Sequence, residues 1–137
     1  MESRKDLAAE KKGKGYNCAQ AVACTYSDFT GLDPETLHSL TDGFATGMGN
    51  MEGTCGAIVG AVTVLGMYVK NYKKQHPDVR ISTAQLSKIL MDRFKEKNTT
   101  VTCKDLKGRD TGVVIRQCPD CVRDAAEILE DILEKLK

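Results

Sequence analysis

The sequence predicts an all-α fold, a single-domain bundle of about five to six helices around a central, apolar, glycine-containing helix. Apolar residues recur at helical spacing in most segments of the chain. Only three prolines occur, Pro34, Pro77 and Pro119, and each stands where a helix can begin or break. Residues 113–115 are the one candidate strand, and the rest of the sequence offers no partner strand for it.

Length and composition indicate one ordinary globular domain spanning residues 1–137. Hydrophobic residues make up 41% and charged residues 28% of the chain, which argues against disorder. Twenty basic and nineteen acidic residues give a net charge of +1, so no bulk charge attracts nucleic acid or an anionic membrane. No apolar run is long enough to span a membrane, and the charged start lacks a signal peptide. We therefore expect a cytoplasmic protein without a nucleic-acid partner.

The first half of the chain predicts three helices. Residues 1–12 are polar and helix-prone, and residues 17–29 carry small apolar side chains suited to a buried helix. Asp33 followed by Pro34 is typical of a helix start, with the aspartate as N-cap, and this helix should run to about residue 44. Four glycines between residues 43 and 53 then predict a loop.

The most apolar segment, residues 54–72, predicts the central helix, because its apolar side chains go nearly all the way round a helical wheel. Gly56 and Gly60 are four residues apart and share one face, where either a partner helix or a cofactor can approach the backbone. Residues 82–97 predict an amphipathic helix, residues 98–117 an irregular segment, and residues 119–136 a last amphipathic helix.

The cysteines are the residues most typical of a functional site in this sequence. An even number of cysteines without a signal peptide indicates metal or redox chemistry rather than a disulfide scaffold. The six are Cys18, Cys24, Cys55, Cys103, Cys118 and Cys121. Cys118 and Cys121 form a CxxC motif at a helix start, where the helix dipole favours a thiolate. Cys55 also begins a helix, so Cys55 and Cys118 are the candidate reactive thiols. Cys24, among alanines and a valine, is typical of a buried small hydrophobe.

Hydrolytic chemistry is not supported by the sequence. His38 and His76 are the only histidines, and neither lies near a cysteine in the sequence. No GxSxG motif or paired-carboxylate pattern occurs. Whether the protein is an enzyme stays open at this level.

Several short motifs together resemble the redox-active CGAxxG family, also written C_GCAxxG_C_C. They are Asn17-Cys18-Ala19-Gln20, Cys55-Gly56-Ala57-Ile58-Val59-Gly60, Cys103 and Cys118. The resemblance covers nearly the whole chain and implies redox activity or cofactor binding through Cys18, Cys55, Cys103 and Cys118. A related domain occurs in split-Soret-type cytochromes, which implies electron transfer and an iron centre. The haem part does not carry over, because this sequence has no CxxCH.

Three functions remain open. The favoured one is electron transfer through an iron–sulfur centre, with Gly56 and Gly60 beside the cofactor. Its candidate ligands are Cys18, Cys55, Cys103, Cys118 and Cys121, the last of which lies outside the four-cysteine pattern and is a candidate to replace Cys118. The alternatives are a metal-free dithiol protein and a structural four-cysteine zinc site. The redox partner protein is not identified by the sequence, and a homodimer is an open alternative.

Overall fold

The structure is a computed structural model that describes residues 1–136. The described chain forms eight α-helices, with short 3-10 turns at Ser27–Phe29 and Asp42–Phe44. The helices are α1 (Lys5–Gly13), α2 (Cys18–Thr25), α3 (Pro34–Leu40), α4 (Ala45–Met48), α5 (Gly56–Gln75), α6 (Thr83–Asn98), α7 (Cys103–Lys107) and α8 (Cys118–Leu136). The predicted all-α fold is confirmed. The six longer helices match the predicted ones, and α4 and α7 are single turns within segments expected to be irregular.

The short strand predicted for residues 113–115 is wrong. The only β-type pairing among residues 1–136 is an isolated bridge between Thr54 and Thr102. Val113 is 65% exposed, and residues 113–115 pair with no second strand among residues 1–136. The segment instead closes a loop back onto α7, because the Ile115 amide donates to the Leu106 carbonyl at 2.9 Å.

The central helix α5 organises the core. Its residues Ile58, Ala61, Val64 and Leu65 are buried, and the helix packs against α2, α6 and α8. This agrees with the all-round apolar pattern of its sequence, which leaves no broad face suited to water. The starts of α5, α2 and α8 therefore meet at one end of the bundle.

The helices α2 and α5 approach each other closely at a glycine. A Cβ atom built on Gly60 would lie 2.5 Å from the carbonyl oxygen of Ala19, a distance that real side chains do not tolerate. A Cβ atom on Gly66, further along α5, would meet nothing within 4 Å. The absence of a side chain at Gly60 thus allows the backbones to touch, which brings the first turn of α2 beside the first turn of α5.

The C-terminal helix α8 holds the bundle together through its apolar face and one buried carboxylate. Val122, Ala125 and Leu129 are fully buried on that face. Glu130 is buried too and accepts hydrogen bonds from the Tyr26 hydroxyl and from the N-terminal segment at residues 3 and 4. These bonds fix the N-terminal segment on α8. Within residues 1–136 none of the helices combines the length and apolar character that a membrane crossing requires.

Candidate functional site

Five of the six cysteines line a single cavity at the end of the bundle where three helices begin. They are Cys18, Cys55, Cys103, Cys118 and Cys121. The cavity has a volume of about 20 Å³, which is room for about one water molecule. All five cysteines that the sequence indicates as metal-ligand candidates therefore lie around one cavity. Cys24 does not line this cavity.

Local hydrogen bonds place the cysteine-bearing turns. Cys18 is the first residue of α2, which is capped by Asn17 and Gln20: each side chain accepts from the other's backbone N–H, at 2.8 and 2.9 Å. Cys55 is the N-cap of α5 rather than its first helical residue, and its amide donates to the Val101 carbonyl at 2.7 Å. The Cys103 amide donates to the carbonyl of Gly53, two residues before Cys55, and this bond joins the starts of α5 and α7.

The sulfurs of the CxxC motif each have a different cysteine partner. The Cys18 thiol donates a hydrogen bond to the Cys118 sulfur. Cys55 and Cys121 likewise interact through their side chains, and each shifts the pKa of the other. We call Cys18 and Cys118 the outer pair, because both are half-buried, and Cys55 and Cys121 the inner pair, because both are buried. The CxxC turn therefore bridges two thiol pairs rather than forming one.

Cys118 lies in surroundings that favour its thiolate. The hydrogen bond from Cys18 lowers the pKa of Cys118 to about 5, with further lowering from the Lys107 ammonium, while burial acts in the opposite direction. The same bond and burial raise the pKa of Cys18, which is the donor. Burial lowers the pKa of Lys107, but its hydrogen bond to the Cys118 sulfur and the charges of Cys118, Cys103 and Cys18 together outweigh burial, so the pKa of Lys107 is raised.

The inner pair shows the same asymmetry. The hydrogen bond from Cys121 lowers the pKa of Cys55 more than burial raises it, and the amides of Ala57 and Ile58 at the start of α5 lower it further. The pKa of Cys121 is raised by this bond and by burial. The Cys121 sulfur also lies 3.8 Å from the carbonyl oxygen of Arg116. Cys55 and Cys118, which the sequence indicates as the acidic thiols, are the two whose pKa is lowered.

Cys103 closes the cavity from a third side. Burial raises its pKa. Gly47 lies against it with a φ of +55°, and a Cβ atom there would lie 2.5 Å from the Cys103 Cβ. The glycine is required at this point both by its left-handed backbone and by the close approach of Cys103.

Cys24 lies elsewhere in the core. Its sulfur lies 3.5 Å from the carbonyl oxygen of Pro34, and burial raises its pKa. This location agrees with the interpretation of Cys24 as a small buried hydrophobe.

Sequence reasoning missed the cationic part of the site. Lys107 and Arg116 line the cavity, and the Lys12 ammonium is close enough to act on the charge of the Cys118 sulfur. Arg116 stands two residues before the CxxC motif and is held by two hydrogen bonds to the buried Asp124, at 3.0 and 3.1 Å. Its position next to the motif was a usable signal, whereas nothing in the sequence indicates that Lys12 folds back to Cys118.

The two glycines proposed to lie beside a cofactor have different positions. Gly56 lines the cavity, and a Cβ atom there would lie 3.4 Å from the Cys18 Cβ. Gly60 is not among the cavity-lining residues and lies instead against the backbone of Ala19. Tight helix packing therefore accounts for Gly60.

The cysteines that line the cavity have the right chemistry to bind a metal ion or a cluster, but their present arrangement does not form a metal site. Cysteine sulfur is the usual ligand of iron–sulfur clusters and of structural zinc. Among residues 1–136, no group of three or more His, Cys, Asp or Glu side chains is arranged to hold a metal ion.

The fold and the site together define a small helical protein with paired thiols in one cavity. The chain belongs to the C_GCAxxG_C_C family, whose description is "putative redox-active protein" and whose model matches residues 16–132. No curated protein matches the chain, and no solved structure does.

Proposed function

We propose that the protein works by dithiol/disulfide exchange at the cysteine-lined cavity. The observation that carries this proposal is the convergence of five cysteines on one small cavity, where Cys18 and Cys118, and likewise Cys55 and Cys121, shift each other's pKa. A disulfide requires two cysteines whose Cα atoms lie within about 7 Å of each other, a condition that cysteines lining one small cavity can meet. Within each pair one thiol is acidified, which supplies the thiolate that exchange requires.

The outer pair carries the first step. The Cys118 thiolate is half-buried and reachable, and Lys107 stabilises its negative charge. Cys118 attacks an incoming disulfide, and the neighbouring Cys18 then displaces the second thiol and forms the Cys18–Cys118 disulfide. The inner pair, Cys55 and Cys121, lies behind it and is linked to it by the CxxC turn, so it is placed to exchange electrons with the outer pair.

A second candidate is electron transfer through an iron–sulfur centre. The specific observation in its favour is the convergence of five sulfurs on one cavity lined also by Lys107 and Arg116. Cys18, Cys55, Cys103 and Cys118 would hold the cluster, with Cys121 as the candidate to replace Cys118, and the cluster would supply one-electron chemistry. Lys107 and the first amides of α5 would stabilise negative charge on the sulfurs, which raises a reduction potential.

Anaerobic purification followed by metal, sulfide and thiol analysis tests both candidates. Colourless, metal-free protein that loses two or four thiols on oxidation and regains them on reduction supports dithiol chemistry. Brown protein with stoichiometric iron and sulfide supports the cluster and contradicts the dithiol proposal. Colourless protein with one zinc per chain, stable to oxidation, contradicts both and supports the structural zinc site. The Cys24→Ala variant is the matched control, since it removes a cysteine outside the cavity and should change none of these results.

A further inference from the structure

The outer pair is the part of the site that meets a substrate. Cys55, Cys103 and Cys121 are only 3–5% exposed, whereas Cys18 and Cys118 are half-buried. An incoming disulfide must line up with the attacking sulfur, so it has to reach Cys118 from the solvent side. The groups around that approach therefore decide which disulfides react.

Two lysines, Lys12 and Lys107, lie at the approach to Cys118. Lys107 lines the cavity and donates to the Cys118 sulfur, and the Lys12 ammonium acts on both Cys18 and Cys118. In the part of the chain that the structure describes, neither lysine has a carboxylate within ion-pair distance.

The nearby carboxylates are already engaged. Asp120, two residues from Cys118, pairs with Arg123 at 2.9 Å. Asp124 is buried and binds Arg116. Lys12 can therefore pair with a negatively charged ligand at once, and Lys107 can do so when the Cys118 thiolate has reacted and lost its charge.

We propose that the outer pair reduces a small anionic disulfide, one whose ends carry carboxylate or phosphate groups. This inference rests on the dithiol function proposed above and names its substrate class. A small linear disulfide suits a half-buried sulfur, and its anionic ends match Lys12 and Lys107.

The reaction balances with the disulfide as the oxidant. The Cys118 thiolate attacks one sulfur of the substrate, forming a Cys118 mixed disulfide and releasing one small thiolate, which takes a proton from water. The Cys18 thiol then loses its proton to solvent and attacks the Cys118 sulfur of the mixed disulfide, and the second small thiolate leaves. Two electrons pass from the outer pair to the substrate, and one disulfide replaces another.

The test compares three aliphatic disulfides that differ in the charge of their ends. They are dianionic 3,3′-dithiodipropionate, neutral 2-hydroxyethyl disulfide and dicationic cystamine. Reduced protein is mixed anaerobically with each, and formation of the Cys118 adduct or the Cys18–Cys118 disulfide is followed by mass spectrometry. Each rate is divided by the rate of the same disulfide with a neutral cysteine derivative, which removes intrinsic reactivity. We expect the dianion to exceed the neutral compound about tenfold at low ionic strength, an advantage that shrinks as added salt screens the lysines.

Matched lysine variants identify the source of the preference. Lys12→Gln should lower the dianion-to-neutral ratio about threefold or more, because the Lys12 charge acts on both sulfurs of the outer pair. Lys14→Gln, the same change at an exposed lysine two residues away, should leave the ratio unchanged. Equal normalised rates for the three disulfides, or equal ratios in the two variants, would overturn the anionic-substrate inference while leaving the dithiol function intact. Failure of Cys118 to react with any of the three disulfides would overturn the dithiol function itself.

Discussion

Gly60 of α5 lies directly on the carbonyl of Ala19 in α2, where a Cβ atom would come within 2.5 Å of the Ala19 oxygen. Ala19 immediately follows Cys18, and Gly60 lies about one helical turn beyond Gly56, the residue after Cys55. The contact therefore sets the distance between the two cysteine-bearing helix starts. The contact between Gly60 and Ala19 therefore affects both the stability of the fold and the geometry of the cysteine site.

The first prediction concerns this contact. Gly60→Ala should destabilise the protein by about 1–3 kcal/mol, because the new methyl group forces two backbones apart. Gly66→Ala is the control on the same helix: it meets nothing within 4 Å, and it should stabilise by up to about 1 kcal/mol through helix propensity. Urea unfolding of both variants measures the difference. Equal stabilities would contradict the close packing of α2 on α5.

The second prediction concerns the reactivity of Cys118 against pH. Because its pKa is lowered to about 5, Cys118 should be alkylated by iodoacetamide with little dependence on pH between about 6 and 8, and faster than every other cysteine. Cys18→Ala removes the hydrogen-bond donor and should move the midpoint of Cys118 alkylation upward, toward the ordinary thiol value of about 8.5. Peptide mapping at limiting reagent gives the rates.

Cys24→Ala provides the control for this measurement, since Cys24 lies outside the cavity. It should leave the Cys118 midpoint unchanged. Alkylation of Cys24 at neutral pH as fast as Cys118 would show that the hydrogen bond from Cys18 does not acidify Cys118.

The third prediction concerns Asp124, which is 2% exposed and accepts from Arg116, Lys97 and Asn98. Asp124→Asn should cost about 1–3 kcal/mol of unfolding free energy, because two cations and an amide lose their charged acceptor. Asp131→Asn removes an exposed ion pair to Arg93 and should cost less than about 1 kcal/mol. A loss for Asp131→Asn equal to that for Asp124→Asn would contradict the special role of the buried carboxylate.

The cost of Asp124→Asn should depend on pH. Burial raises the pKa of Asp124, but its hydrogen bonds to Arg116, Lys97 and Asn98 outweigh this and leave the folded pKa below the unfolded value of about 3.9. The stabilisation is therefore fully present above about pH 4 and is lost as pH falls through the folded pKa. The difference in unfolding free energy between the wild-type protein and the variant should shrink steadily below about pH 4. A constant difference down to about pH 2 would contradict the lowered pKa.

The fourth prediction concerns Gly47 and Cys103. Gly47→Ala places a Cβ atom 2.5 Å from the Cys103 Cβ and should displace Cys103, so that its thiol is alkylated several-fold faster in the native state. Gly49→Ala is the matched control, because Gly49 also has a positive φ but meets nothing within 4 Å. Faster labelling of Cys103 in both variants would indicate general loosening of the loop rather than a specific contact.

Much of the fold follows from local sequence rules. The N-cap Asp33 before Pro34, the all-round apolar pattern of residues 56–69 and the apolar stripe of α8 each predict their helix, and each helix is present. The single turns α4 and α7 were not predictable. Each has fewer than six residues and no periodic pattern. The start of α7 is also held by hydrogen bonds to the distant backbone of Gly53 and Met51.

The candidate site, like the fold, has features that the sequence predicts and features that it does not. Helix-start position indicates acidic thiols at Cys55 and Cys118 from sequence alone, because the first-turn amides and the helix dipole are local properties. Which sulfur contacts which is not local. Cys18 and Cys118 are separated by about a hundred residues, and only the packing of α2, α5 and α8 brings them together.

The sequence by itself determined the helical class, the central glycine-containing helix and the set of cysteines that carries the chemistry, since these depend on spacing and residue type along one element. The tertiary structure alone decided the pairing of Cys18 with Cys118 and of Cys55 with Cys121, and the presence of Lys12 and Lys107 at the outer pair. The physical reason is that pairing and charge depend on distances between elements. Those distances are set by backbone contacts, such as that of Gly60 with Ala19, which no periodicity in the sequence reveals.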